Sequence, residues 1–492
     1  MQPIKERAKQ KLTTAARALS HAQGVPTLFL RTHTTSQKAL ATPNRRPWLS
    51  PVIKNFLIYS SGTVILKSIS LILMPFVLHI LPPAQYGLLA LAMSFTNILV
   101  IISGLGLRQT FGIEFFHGDS AARRNMANDI IVLYLAINIP LLLLVLLNLP
   151  LLNTYLFLGT ASTTLMVLCL IYCFLQFFTE LFYQLLRYQC KAFTLTLLQI
   201  GTALATITLN LFFLYHFPWG TSGMLLGYVL GTLITFFVAL RAYLKSGCLP
   251  YNTWAQTTHL FSCAYLAKHV RLLRTNHTLQ KGFYYLRLSL PFIPGMLFNW
   301  VLVAGNRWLL ARYGTLHDVG IYSLADTFGQ LYYTLILYPM AGSYLPHLMH
   351  QFVQNKNDIA SIEQQNRRTM YLSMLGMALL ITAGYLIGKP ILYWILPVKY
   401  QEAIGYVWLI LMGQIFLMGT YFTSALVQFH KKTTFLAASL FVPALINVSL
   451  SMLLITPLGI YGCVLATLVA YVFYFGNMLW YNNKLLAKMI VK

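Results

Sequence analysis

Hydropathy divides the chain into a long series of apolar runs, each about 20 residues or more, separated by short polar or Pro- and Gly-bearing breaks. At about 1.5 Å per residue a helix of that length crosses a hydrocarbon layer roughly 30 Å thick. Twelve spans are predicted: 55–81, 86–110, 128–150, 158–184, 193–216, 222–244, 285–311, 318–346, 369–394, 403–427, 434–455 and 460–482. The third and fourth are joined through Pro150 and an uncharged connection. One run breaks its own pattern. "VILKSISLILM", residues 64–74, places Lys67 near the middle of an apolar segment, where insertion scales assign a lysine a cost of about 2.5–3.5 kcal/mol.

Composition agrees with the pattern. Of 492 residues, 58% are hydrophobic and only 9% charged, too few charges to cover a soluble protein of this size. The net charge of +25 comes from 35 Lys and Arg against 10 acids. No RNA-binding motif accompanies it, so a nucleic-acid partner is not expected; membrane loops collect such charge on one side. Arg123, Arg124, Arg187, Lys191, Lys245, Lys268, Arg271, Arg274, Lys281, Arg367, Arg368, Lys431 and Lys432 fall on one set of connections. The opposite set has little besides Arg312, Lys389 and Lys399. The rich set shares its side with both termini, which predicts cytoplasmic termini and an even helix count. The first fifty residues hold nine Lys or Arg and Glu6, without the apolar core of a signal peptide; they read as a basic cytoplasmic tail or a surface amphipathic helix. The six cysteines have no zinc-finger spacing and imply no disulfide framework.

An internal repeat organises the rest. "YGLLALAMSF" (86–95) and "VGIYSLADTF" (319–328) align Gly87 with Gly320, Leu91 with Leu324, Ala92 with Ala325 and Phe95 with Phe328, at an offset of 233. "GTSGMLLGYVLG" (220–231) and "GIYGCVLATLVA" (459–470) align Gly220 with Gly459 and Gly223 with Gly462, at an offset of 239. Two six-helix halves in the same orientation follow, a parallel repeat of the kind transporters use. The predicted organisation is a tail (1–50), an N-lobe (51–244), a basic cytoplasmic linker (245–284) and a C-lobe (285–492).

Three stretches carry a resemblance. "LPPAQYGLLAL" with "SGLGLRQTF", "LPFIPGMLFNWVLVAGNRWLLARYGTLHDVGIYSLA" and "NVSLSMLLITPLGIYGCVLATLVAYV" resemble the Wzx-type polysaccharide flippases of the multidrug/oligosaccharidyl-lipid/polysaccharide exporter superfamily, over residues 51–485. The resemblance implies an all-α polytopic membrane protein, with about twelve transmembrane helices in two six-helix lobes around a central cavity. It also implies alternating access in the inner membrane, a polyprenyl-pyrophosphate-linked saccharide as substrate, and membrane lipids and saccharide-assembly proteins as partners. Members often carry an acid before the arginine of the seventh helix; here the pair is Asn306-Arg307. A peptidoglycan-precursor flippase or a drug/cation antiporter of the same superfamily is the near alternative. A membrane glycosyltransferase or polymerase is the remote one, because the outer connections are short and nearly free of acids.

A pyrophosphate crossing a low-dielectric region calls for cations facing a hydrated cavity. Lys67 is the first candidate and Arg307 the second. Arg287 and Arg108 lie near helix ends, where they either face the cavity mouth or snorkel to the interface. Asp326 and Glu180 are the candidates for ion coupling. Asp129 sits where it would complement a helix N-terminus. His347 and His350, one turn apart without a carboxylate, do not make a metal site, and no cofactor or nucleotide motif is present. Pro75, Pro291 and Pro294 are expected to bend the first helix of each half.

Overall fold

The computed structural model describes residues 51–114, 120–188, 192–245, 276–355, 358–430 and 432–490. The expectations for the tail (1–50) and for linker residues 246–275 lie outside them. Every regular element among the described residues is helical. The first half contains α1 (Pro51–Ile80), α2 (Pro83–Gly104), a short α3 (Leu107–Glu114), α4 (Ser120–Leu147), a short α5 (Leu149–Leu156), α6 (Thr163–Tyr188), α7 (Ala192–His216) and α8 (Gly220–Lys245). The second contains α9 (Asn276–Ser289), α10 (Phe292–Tyr313), α11 (Leu316–Tyr332), α12 (Tyr338–Gln354), α13 (Ile359–Ile395), α14 (Ile404–Phe429), a short α15 (Thr433–Ala438), α16 (Phe441–Leu458) and α17 (Ile460–Ile490). A π-turn, Tyr333–Leu337, joins α11 to α12, and a 3₁₀ turn, Val398–Ala403, leads into α14.

Among the described residues nine helices are long and apolar enough to cross a membrane, or ten when the bent pair Gly282–Ser289 and Phe292–Tyr313 counts as one span. The apolar part of α1, Val64–Ile80, and the α11–π–α12 run correspond to the remaining two of the twelve expected. Local chemistry accounts for the boundaries. Pro82 and Pro83 open α2, where a missing N–H costs nothing because the first-turn donors have no helical partner. Thr315 and Asp318 form a reciprocal capping box at the start of α11. The expected bend in helix seven is present: the chain breaks at Leu290-Pro291 and turns by 42°. The expected bend at Pro75 has no matching break, since α1 runs through it; the carbonyl of Pro75 instead meets Nδ1 of His79 at 2.8 Å. Helix two is also shorter than predicted. It stops at Leu105 and Gly106, both at positive φ, and α3 starts after them.

The apolar packing differs between the two ends of the bundle. At the end that holds the α1–α2 and α10–α11 connections, one continuous core joins both halves, drawing on Leu78, Leu91 and Phe95 from the first and on Val319, Leu324 and Ile404 from the second. At the opposite, basic end the cores are separate. One is built from α3, α4, α6 and α8 with α9 against it, and others are built from α11 to α14. The halves thus share one core at the first, fused end, while at the other their cores are separate and α9 crosses over to pack on the first half.

The repeat is visible at the fused end. Helices α2 and α11 make the principal contact between the halves, and the aligned pair Gly87 and Gly320 sits in it. A Cβ on Gly87 would run into the carbonyl oxygen of Leu316, and one on Gly320 into that of Pro83. Each clash partner lies four residues before the other glycine, so the contact is symmetric under the repeat. Only the absence of both side chains lets the backbones approach this closely.

Candidate functional site: a cationic cavity between the halves

Lys67 does not face lipid. It is half-buried and lines a cavity of about 390 Å³ formed by α1, α2, α7, α8, α10 and α11. The other lining groups include Tyr86, Asn97, Asn210 and Tyr228 from the first half and Ser323, Thr327 and Gln330 from the second. Asn97 and Gln330 occupy equivalent repeat positions, again at an offset of 233. Among the described residues, the charged groups of the lining are Lys67 and Arg307, and no carboxylate joins them. Lys67 makes no ion pair among the described residues.

Arg307 has a partner. Its Nη2 donates to Oδ2 of Asp326 at 2.7 Å and its Nε to the hydroxyl of Ser323 at 3.2 Å. Both side chains of the pair are largely buried, 17% and 9% exposed. The pair carries no net charge, so the net positive charge of the cavity rests on Lys67. Asp326 itself lines a small adjoining pocket with Tyr322, Gln330, Gln414 and Tyr471. The sequence reading placed Arg307 and Asp326 in different roles, one for substrate and one for ion coupling; the structure joins them. A signal for this existed. Arg307 and Ser323 lie nearly equal distances from the turn at Gly314 and Thr315, and the long guanidinium reaches one turn farther along α11.

Asn306 stands where an acid is common in the resembling family, and here it does different work. It is buried, and its amide nitrogen lies within hydrogen-bond reach of Tyr322 Oη (3.2 Å), the Cys463 carbonyl (3.3 Å) and Thr467 Oγ1 (2.6 Å). Its Oδ1 accepts from Asn447 Nδ2 at 3.1 Å and Ser451 Oγ at 3.2 Å. This network ties α10 to α11, α16 and α17. Two further bonds cross the halves: the indoles of Trp300 and Trp308 donate to the carbonyl and hydroxyl of Ser94, at 3.2 and 2.9 Å.

The remaining candidates sit elsewhere. Arg108, on α3, contacts Glu180 of α6 at 3.4 Å, so these two also form a pair, part-exposed and away from the cavity lining. Arg287 is exposed on α9. Neither Arg108 nor Arg287 lines the cavity that holds Lys67 and Arg307, because α3 and α9 lie at the basic end, beyond the helix segments that wall it. Among the described residues there is no cluster of three or more potential metal ligands; His347 and His350 reach Gln351 and Gln354 on their own helix. At the fused end the cavity is sealed. The Lys399 ammonium donates to the His79 carbonyl at 2.9 Å, Tyr400 donates to the Leu81 carbonyl at 3.1 Å, and the Tyr400 ring meets Tyr86 edge-on at 6.0 Å.

Two bundles fused at one end around a polar cavity define a transporter fold, and solved structures of that kind superimpose on this one. An inward-facing multidrug-resistance MATE transporter of the MOP superfamily matches with a TM-score of 0.68 at 14% identity, over 89% of this chain and 99% of that one. The lipid II flippase MurJ in an inward closed conformation matches with a TM-score of 0.65 at 15% identity, over 86% and 87%. A MATE transporter variant from Vibrio cholerae matches with a TM-score of 0.60 at 16% identity, over 89% and 97%. A comparison with curated proteins gives no match. The chain belongs to the polysaccharide biosynthesis protein family, whose pattern matches residues 52–352.

Proposed function

We propose that this protein is a flippase that moves a polyprenyl-pyrophosphate-linked saccharide from the inner to the outer leaflet of the cytoplasmic membrane by alternating access. The observation that carries the reading is the charge of the central cavity. It is lined without carboxylates and holds one cation, Lys67, with no ion-pair partner among the described residues, beside an arginine already matched by Asp326. Such a cavity attracts an anion and repels a cation. A drug-cation antiporter would need the opposite sign, so the cavity favours the lipid-linked substrate within this superfamily. Family membership supports the same choice.

In this reading both termini are cytoplasmic, as the Lys and Arg asymmetry of the connections supports. The basic end, where the two halves have separate cores, then faces the cytoplasm. The fused end, sealed by Gly87, Gly320, His79, Lys399 and Tyr400, faces outward. The pyrophosphate enters from the cytoplasm and is held by Lys67, while the polyprenyl chain stays in lipid. Closure at the basic end and parting of α2 from α11 release it outward. Asp326, buried against Arg307, is the candidate for coupling this cycle to an ion, and Glu180 a second.

The test uses purified full-length protein in liposomes. Lipid-linked saccharide should become accessible at the far leaflet, and an organic cation such as ethidium should not be exported. Ethidium export without saccharide-lipid movement would replace this reading with the antiporter.

A further inference from the structure

A second cavity, apart from the one that holds Lys67, lies within the second half. It measures about 540 Å³ and lies between α10, α11, α14, α17 and the α15–α16 turn, among segments of the second half alone. That is inside the range of roughly 300–1,000 Å³ found for small-molecule sites. Its polar groups are amides, hydroxyls and tyrosines, including Asn299, Gln414, Tyr421 and Gln428, and among the described residues no charged side chain lines it.

Three observations restrict what can occupy it. First, a phosphate or a metal ion would meet no counter-charge in this lining, whereas a lipid chain would strip its amides of hydrogen bonds. A neutral polyol meets both conditions: its hydroxyls pair with amides, and its C–H faces lie against tyrosine rings. Second, Gln414 is only 4% exposed and its carbonyl Oε1 has no hydrogen-bond partner among the described residues. An unmet buried acceptor is costly, and a hydroxyl donor in the cavity would satisfy it. Third, Gln330 lines both this cavity and the central one. It sits three residues before the π-turn Tyr333–Leu337, a local irregularity of a kind that recurs at functional sites. The two cavities therefore share a wall.

We propose that the cavity of the second half is the saccharide subsite of the flippase. A sugar unit next to the pyrophosphate passes Gln330 and binds among Gln414, Tyr421 and Gln428, while Lys67 holds the pyrophosphate in the central cavity. The inference rests on the flippase reading and adds a location and a chemistry for sugar selection.

The experiment places photoreactive benzoylphenylalanine at Tyr421 or at Asn97 in the full-length protein, irradiates membranes of the host strain, and determines adduct masses. Saccharide-bearing adducts at both positions are expected. An adduct at Asn97 without one at Tyr421 would overturn the subsite and leave the flippase standing. A sugar-free lipid adduct at Tyr421 would overturn it too, by assigning the cavity to the polyprenyl chain. The lack of adducts at both positions would count against the flippase reading itself. A second measurement uses Gln414→Leu. Translocation of the saccharide-lipid should fall about tenfold, the loss of one buried hydrogen bond to substrate, while binding of sugar-free undecaprenyl pyrophosphate stays unchanged. Translocation at the normal rate in this variant would overturn the proposal.

Discussion

Replacing Lys67 with alanine separates two explanations of a charge in the middle of an apolar helix. A lysine held for structure would have an acid partner, and its removal would leave that acid buried and unpaired, destabilising the fold by about 3–5 kcal/mol. Here the cavity lining offers no carboxylate and Arg307 already occupies Asp326. Lys67→Ala should therefore insert at least as well as the parent, regaining part of the roughly 2.5–3.5 kcal/mol that a lysine costs at mid-membrane. The loss should fall on transport. A charge-assisted hydrogen bond is worth about 1.5–3 kcal/mol, which at about 1.4 kcal/mol per factor of ten corresponds to roughly 10- to 150-fold. The Arg307–Asp326 pair is nearly neutral and should not compensate. Lys67→Arg should retain part of the activity, because charge survives while the compact, flexible ammonium does not. The assay is membrane abundance beside export of lipid-linked saccharide for each variant. Normal export at normal abundance by Lys67→Ala would refute the reasoning; low abundance rescued by removing a second acidic residue would show a structural pair instead.

The sequence was legible where the physics is periodic or repeated. Apolar runs are long because lipid leaves backbone groups no partner outside the helix, so ten of the twelve expected spans meet a simple length and apolarity test and the other two correspond to described helices. The aligned glycines 87 and 320 could be read as equivalent without any structure, yet nothing in the sequence said that they touch. That needed the packing of α2 against α11. Individual side chains were harder. Lys67 was recognised because its cost is local, whereas the fate of Arg307 depended on a neighbour 19 residues away. Asn306 could be seen only as a departure; its role as the centre of a buried amide network comes from three other helices. Pro75 and Pro291 illustrate the same limit. Each removes one hydrogen bond, and whether the helix bends there is decided by what packs on it.

Four further outcomes are expected. Reporter fusions after residue 360 should read cytoplasmic and fusions near 218 and 398 external; an external signal at 360 would overturn the orientation. Asp326→Asn should weaken the dependence of transport on a pH gradient and lower abundance by unpairing Arg307, with Arg307→Met plus Asp326→Leu restoring abundance; unchanged gradient dependence in Asp326→Asn removes Asp326 from coupling. Asn306→Leu should destabilise the protein by about 2–3 kcal/mol, the loss of four or five interhelical bonds of about 0.6 kcal/mol each, read as a lower melting temperature of the purified protein, whereas a thermally neutral variant would show that the network contributes little. The last outcome concerns the glycine contact. Gly87→Ala and Gly320→Ala each put a Cβ against backbone carbonyl, on opposite sides of one symmetric crossing. Backbone cannot rotate away as a side chain can, so α2 and α11 must separate, at a cost typical of overpacking, about 1–3 kcal/mol. That cost falls only on the state closed at this end, so it shifts the population toward the state open there by roughly 5- to 150-fold. Met74, in the cavity lining, supplies the reporter: as Met74→Cys it should react faster with a membrane-impermeant maleimide added from the outer face in either glycine variant. Because both substitutions wedge the same contact, the double variant should show less than the summed effect. Equal labelling with and without the wedge would mean that the α2–α11 crossing does not part during transport, and the alternating-access role assigned to it would fall.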